Sequence, residues 1–157
     1  MEYPYLPVGR NIKYVSIDNV FMAEACRIRN SESTDIGHPT GAVVVKDNKI
    51  IAWGSNLSRV RNKFLLKLHE RGLCVRKLLK IPSGQKYWLC PGCAIPENHA
   101  EYRAVKNAEL SIKNIAGADL YLYGHWWCCR SCWDKMISAG IRDVYLVEGA
   151  TNMFKDR

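Results

Sequence analysis

No stretch of the 157-residue sequence approaches the roughly 18 consecutive apolar residues of a membrane-spanning helix. Its first residues, MEYPYLPVGR, lack the basic, then apolar, then small-residue pattern of a secretory leader. Both absences argue against a membrane partner and lead us to expect a cytoplasmic protein. There the seven cysteines would stay reduced, so they read as metal ligands or buried thiols before they read as disulfides. Internal repeats and low-complexity tracts are also missing, which excludes solenoids and tail-like architectures. Acidic residues are in short supply, 15 against 23 Lys plus Arg, for a formal net charge of +8. The imbalance is local. Between Arg59 and Lys80 stand eight basic residues and one acid, Glu70. Such a run is either a solvated face or a surface that attracts the phosphates of a nucleotide or nucleic acid.

The length suits one domain over residues 1–157, able to bury a core without disulfides. Asp18 can cap a helix through NVFMAEACRIRN, whose apolar side includes Val20, Ala23 and Ile28, with Cys26 expected to be buried. GAVVVKDNKIIAWGSN reads as a hairpin, with strands around Ala42–Val45 and Ile50–Trp53 joined by a polar KDNK turn. Residues 57–96 form a long basic connection with room for a helix near Phe64–His69, interrupted at IPSG. HAEYRAVKNAELSIKN carries apolar residues at helical spacing, with its end marked by Asn114 and Gly117. LYLY (Leu120–Tyr123) and DVYLV (Asp143–Val147) read as strands, and CRSCWDKMISAG between them as a helix closed by Gly140. Strands alternating with helices after a hairpin predict an α/β fold with a mixed sheet.

Chemistry concentrates in two places. Cys129-x-x-Cys132 is a spacing that lets two thiolates share one Zn²⁺ from the start of a helix, and His99 can supply a third ligand from the start of another. Three protein ligands leave a fourth position open, the mark of a catalytic rather than a structural zinc. Helix N-termini favour the anionic thiolates, with Asn98 the expected cap beside Pro96. Glu101 follows His99 by two residues, an offset that serves one site only in an irregular first turn. A carboxylate there can take a proton from an activated water and hand it on.

These residues, His99-Ala-Glu101 followed by Cys129-x-x-Cys132, resemble the His-x-Glu and Pro-Cys-x-x-Cys signature of the zinc-dependent cytidine and deoxycytidylate deaminase superfamily. The resemblance runs over most of the chain. PTGAVVVKDNKIIAWGSN is similar to the family's first hairpin, and IPSGQKYWLCPGCAIPENHAE to the approach to the catalytic helix in the deoxycytidylate (dCMP) deaminase branch. It implies a three-layer α-β-α fold with a sheet of four to five strands, any strand after Val147 being short or missing. It implies zinc on His99, Cys129 and Cys132, with Glu101 as the catalytic proton shuttle. It further implies a backbone contact from Ala100 to the base, a sugar contact from Asn56, hydrolysis of dCMP to dUMP and ammonia, and a homo-oligomer. Tyr123, Trp126 and Trp127 can stack on a base or pack in the core, and His125 beside them can serve the pocket or support the metal ligands. The sequence departs from the pattern at Cys128, where the family usually has proline, and at Arg103, where it commonly has asparagine.

The cysteines left over raise a further possibility. Cys90 and Cys93 have zinc spacing of their own, Cys74 can approach them across the IPSG turn, and His69 is a conceivable fourth partner. The alternative is a set of ordinary buried thiols. The basic run offers a phosphate site, with Arg59 and Arg61 the first candidates because they lie just after Asn56. Two other functions fit the same residues: a cytosine or adenine deaminase acting on single-stranded DNA or RNA, and a non-catalytic zinc module that binds nucleic acid.

Overall fold

The computed structural model describes residues 4–35, 37–60, 62–81 and 85–155. Arg61 and most of the IPSG turn lie outside the described residues. One five-stranded sheet organises the chain, in the order β1-β5-β4-β2-β3. Its strands are β1 (Ile12–Val15), β2 (Gly41–Lys46), β3 (Lys49–Ser55), β4 (Asp119–Tyr123) and β5 (Val144–Val147). β2 runs antiparallel to both β3 and β4, whereas β4, β5 and β1 run parallel, so the sheet is mixed. The β2–β3 hairpin turns at Asp47 and Asn48, both at positive φ (49° and 61°), the pairing that matches the twist of the flanking strands.

The helices are α1 (Val20–Glu32), α2 (Lys63–Glu70), α3 (Val75–Leu78), α4 (Ala100–Ser111), α5 (Arg130–Ser138) and α6 (Ala150–Phe154). α1 and α4 cover opposite faces of the hairpin. Gly41 looks onto the α1 backbone at Ala25 and Arg29, while Gly54, paired with Ala42 beside it, looks onto α4. A methyl group on Gly54 would stand 2.7 Å from the Ala100 carbonyl, so the strand meets the first turn of α4 with no side chain between them. With both faces covered, β2 is continuously apolar and Ala42–Val45 are all buried. Around them the core gathers Met22 and Ile28 from α1, Val105 from α4, Leu120 and Leu122 from β4, and Trp133 and Met136 from α5.

The structure differs from the sequence reading in four places. The fifth strand does not follow Val147, where the chain turns into α6; it comes from Ile12–Val15, which pairs with Val144–Val147. Asn19 rather than Asp18 caps α1, its side chain accepting the backbone N–H groups of Phe21 and Met22. α4 ends at Ser111, with Ile112 already extended, ahead of the expected Asn114 and Gly117. Cys26 is half-exposed on α1 rather than buried, with the Asn30 amide 3.7 Å from its sulfur. Among the described residues no helix is long and apolar enough to cross a membrane.

Candidate functional site

Two helix starts, those of α4 and α5, meet. His99 is the N-cap of α4 (φ −69°, ψ 150°) and Cys129 the N-cap of α5 (φ −72°, ψ 162°), both extended and neither capped by a side chain. Asn98, the expected cap, instead ends a 3-10 turn over Pro96–Asn98, where its carbonyl accepts the N–H of Leu57. The uncapped N–H groups and the helix dipoles therefore face the two ligand-bearing positions, where they favour anionic sulfur. Because His99 is extended, the two-residue step to Glu101 no longer sends the side chains to opposite sides. Both line one cavity.

The distances among His99, Cys129 and Cys132 test whether zinc fits. A tetrahedral ion with Zn–S near 2.3 Å and Zn–N near 2.0–2.1 Å sets its sulfur and nitrogen ligands about 3.6 Å apart. His99 Nδ1 lies 3.5 Å from Cys129 Sγ and 3.6 Å from Cys132 Sγ. Two sulfurs and an imidazole at the edge lengths of that tetrahedron fit zinc with one position open. The Cys129 thiol is pulled down to about 4, chiefly by its hydrogen bond with Cys132 and, against its burial, by His99.

Glu101 is 5% exposed, and burial raises its carboxyl above the usual range. The neighbouring Cys128 is fully buried; its thiol acts against that rise, while burial and then the Glu101 carboxylate push the thiol well above its ordinary range. This pairing is the structural consequence of a cysteine where the resemblance expects proline.

The cavity, about 450 Å³, has a size ordinary for a small-molecule site. Its lining includes His99, Ala100, Glu101 and Cys129 together with His125, Trp126 and Trp127. Asn56 also lines it, but most of its amide is committed to the protein. Its oxygen accepts from Ser33 Oγ and the Thr40 N–H, both at 2.7 Å, and its nitrogen donates to His38 O at 2.7 Å. His125 Nδ1 accepts the N–H groups of Trp126 and Trp127 at 3.1 and 3.4 Å, and burial, with His38 and His99 nearby, lowers its pKa to about 3. The ring is thus a neutral acceptor that shapes the aromatic loop.

Other residues lie elsewhere. Tyr123 packs edge-on against Phe154 with the Arg29 guanidinium over its ring, outside the cavity lining. Arg103 reaches Ser55 O at 2.7 Å. Arg59 is not among the lining residues either; it is exposed and donates to Trp88 O at 3.0 Å. The basic run instead enters the lining through Arg76 and Lys77, joined by Lys155 from the C-terminal end of the chain. Sequence reasoning missed Lys155, and it missed Tyr87, whose ring lies edge-on to His99 and under the Arg76 guanidinium. A signal for Arg76 and Lys77 was present in their position just after Cys74, which gathers with Cys90, Cys93 and His69 into a second compact cluster.

A sequence model of the cytidine and deoxycytidylate deaminase zinc-binding region matches residues 15–148. No curated protein matches the chain by sequence. Among solved structures, the dCMP deaminase from cyanophage S-TIM5, in complex with dCMP and dUMP, is 24% identical over 87% of this chain and 85% of its own, with a TM-score of 0.52. The diaminohydroxyphosphoribosylaminopyrimidine deaminase/5-amino-6-(5-phosphoribosylamino)uracil reductase of Thermotoga maritima is 24% identical over 80% of this chain, at a TM-score of 0.49. This chain spans only 28% of that longer protein. A structure from work on tRNA:A34 deaminases matches at 23% identity, over 82% of this chain and 75% of its own, with a TM-score of 0.44.

Proposed function

Because this chain belongs to the cytidine and deoxycytidylate deaminase zinc-binding family, we propose that it hydrolyses the exocyclic amine of a cytosine nucleotide, converting dCMP to dUMP and ammonia. One observation carries the reading. A single cavity is lined by His99, Cys129 and Glu101, by the aromatic rings of Trp126 and Trp127, and by the cations Arg76, Lys77 and Lys155. His99, Cys129 and Cys132 would hold the zinc, which when bound supplies the Lewis acidity that readies a water for attack at neutral pH.

The remaining work falls to the chain's own residues. Glu101 takes one proton from the attacking water and delivers it to the ring nitrogen N3, then takes the second from the oxygen now bonded to C4 and delivers it to the amine as the C4–N bond breaks. Its burial suits that cycle, because a carboxyl raised toward neutrality accepts and returns a proton with less bias. The Ala100 N–H, at the uncapped start of α4, is available to the carbonyl of the base. Trp126 and Trp127 offer aromatic faces to the ring. Asn56 retains one amide hydrogen beyond its bond to His38 O, enough for a sugar oxygen.

A second reading has its own observation. Phe64, Leu78, Leu79 and Trp88 are all exposed, at 61–67%, in and around the basic segment, and aromatic and basic groups together favour single-stranded nucleic acid. Ammonia release from dCMP, CMP, deoxycytidine and a cytosine-bearing oligonucleotide, measured side by side, decides between the two. We expect turnover of dCMP above the nucleoside. Turnover confined to the oligonucleotide replaces this reading with the second, and release from none of the four overturns both.

A further inference from the structure

We propose that His69, Cys74, Cys90 and Cys93 form a second zinc site, closed and structural, that holds the cationic side of the cavity in place. Their ligand atoms all lie within 4.8 Å of one another. Two of the separations carry more information than proximity. Tetrahedral zinc sets two sulfurs about 3.8 Å apart and a sulfur and nitrogen about 3.6 Å apart. Cys74 Sγ and Cys93 Sγ are 3.7 Å apart, and Cys93 Sγ and His69 Nε2 are 3.5 Å apart. A disulfide would bring sulfurs to about 2.05 Å, so Cys74 and Cys93 are not arranged as one.

Positive charge stands beside the sulfurs. Arg76 Nη1 lies 3.6 Å from Cys93 Sγ. Zn²⁺ with three thiolates and a neutral imidazole carries one net negative charge, which the buried Arg76 guanidinium offsets. Gly92, inside the Cys90-Pro91-Gly92-Cys93 knuckle, leaves the room that the His69 ring occupies. A methyl group at Gly92 would come within 2.5 Å of His69 Cγ and Cδ2.

The segment also needs what a metal provides. Among the described residues from 57 to 96, the buried apolar side chains are Cys74, Cys90, Cys93 and Ala94. Four small residues are far too few to order a connection of that length by hydrophobic burial, whereas four protein ligands on one ion close it directly. With no ligand position left open, such a site is structural. Its effect still reaches the cavity. His69 and Cys93 line it, α3 begins just after Cys74 and carries Arg76 and Lys77, and Arg76 stacks on Tyr87, whose ring meets His99. The consequence for Lys77 rests on the phosphate part of the function proposed above; the metal site does not.

Zinc counted by elemental mass spectrometry on the purified full chain tests the site independently of activity. The wild type should carry two zinc ions, Cys90→Ser and His99→Ala one each, and the double variant none, while Cys90→His, which keeps a ligand, should restore the count. One zinc per wild-type chain, unchanged by Cys90→Ser, overturns the proposal. Should Cys90→Ser not fold, thiol alkylation mapped on the wild type replaces it: Cys74, Cys90 and Cys93 should be protected as purified and labelled after chelation. Labelling that ignores the chelator overturns the proposal equally. Ammonia release from dCMP by a chain shown to hold one zinc would separate failure of this site from failure of the functional reading.

Discussion

The role proposed for Glu101 depends on where α4 starts. Glu101 is the second residue of the helix, 5% exposed, and not one of the three ligands whose spacing fits zinc. Glu101→Ala should therefore keep its zinc and lose about 10²- to 10⁴-fold in turnover, whereas Cys132→Ser should lose zinc and activity together. Zinc content measured beside ammonia release checks both, and full turnover in Glu101→Ala would rule out the proposed proton transfer. Cys128 makes a subtler case. Its thiol and the Glu101 carboxyl shift each other's ionisation, as a thiol donating to the carboxylate would, and such a donor would orient the carboxylate without touching a substrate. Losing a donor worth about 1 kcal/mol should lower kcat about fivefold in Cys128→Ala, with KM and zinc content unchanged. Cys128→Ser, which can still donate, should recover most of the loss. If Ala and Ser behave alike, the cysteine is filling space only.

At the scale of elements, the loop between β4 and α5 is held by a histidine acting as an acceptor. His125 Nδ1 takes two backbone N–H groups, and the folded protein keeps the ring neutral to about pH 3. Its pKa is depressed on folding from about 6.5, so its contribution is whole above pH 6.5 and is lost as the pH falls toward 3. Asn can supply the same kind of acceptor without titrating. His125→Asn should therefore gain about 1.4 kcal/mol relative to the wild type between pH 7.5 and 5.5, read from paired denaturant titrations. A constant difference across that range would mean that the ring already titrates normally. The elements themselves were legible to different degrees. The hairpin, α4, α5 and their strands announce themselves because β2 and β4 are buried on both faces and the helices have continuous apolar sides. β1 does not: it is four residues at the sheet edge, with Lys13 and Tyr14 outward, and pairs with a strand some 130 positions away. That His99, Cys129 and Cys132 gather, with Glu101 beside them, could be anticipated because each half of the pattern is local to a helix start. The rim of the cavity could not, since Lys155 and Lys77 meet only through tertiary folding, and proximity in sequence pointed to Arg59 instead.

At the scale of the molecule, a net charge of +8 draws any phosphate toward the surface, but only cations at the cavity can tell a nucleotide from a nucleoside. Lys77 and Lys155 are both exposed and both line the cavity, so under the proposed function each would act on a substrate phosphate as a point charge in contact with water. Exposed pairs of that kind give about two- to fivefold apiece and weaken with salt, as the screening length contracts from about 30 Å at 0.01 M to about 3 Å at 1 M. The ratio of kcat/KM for dCMP over deoxycytidine isolates this contribution, because the base chemistry cancels. It should fall about fivefold or more in the Lys77→Ala, Lys155→Ala double variant at low salt, and wild type and variant should converge as salt rises. Arg59→Ala, which removes one charge away from the cavity, serves as the control for either lysine variant alone and should leave the ratio nearly unchanged. Were Arg59→Ala to lower it as much as the double variant, the preference would come from the overall field. A nucleotide bound by that field alone would leave the cavity cations without a role in selecting the substrate.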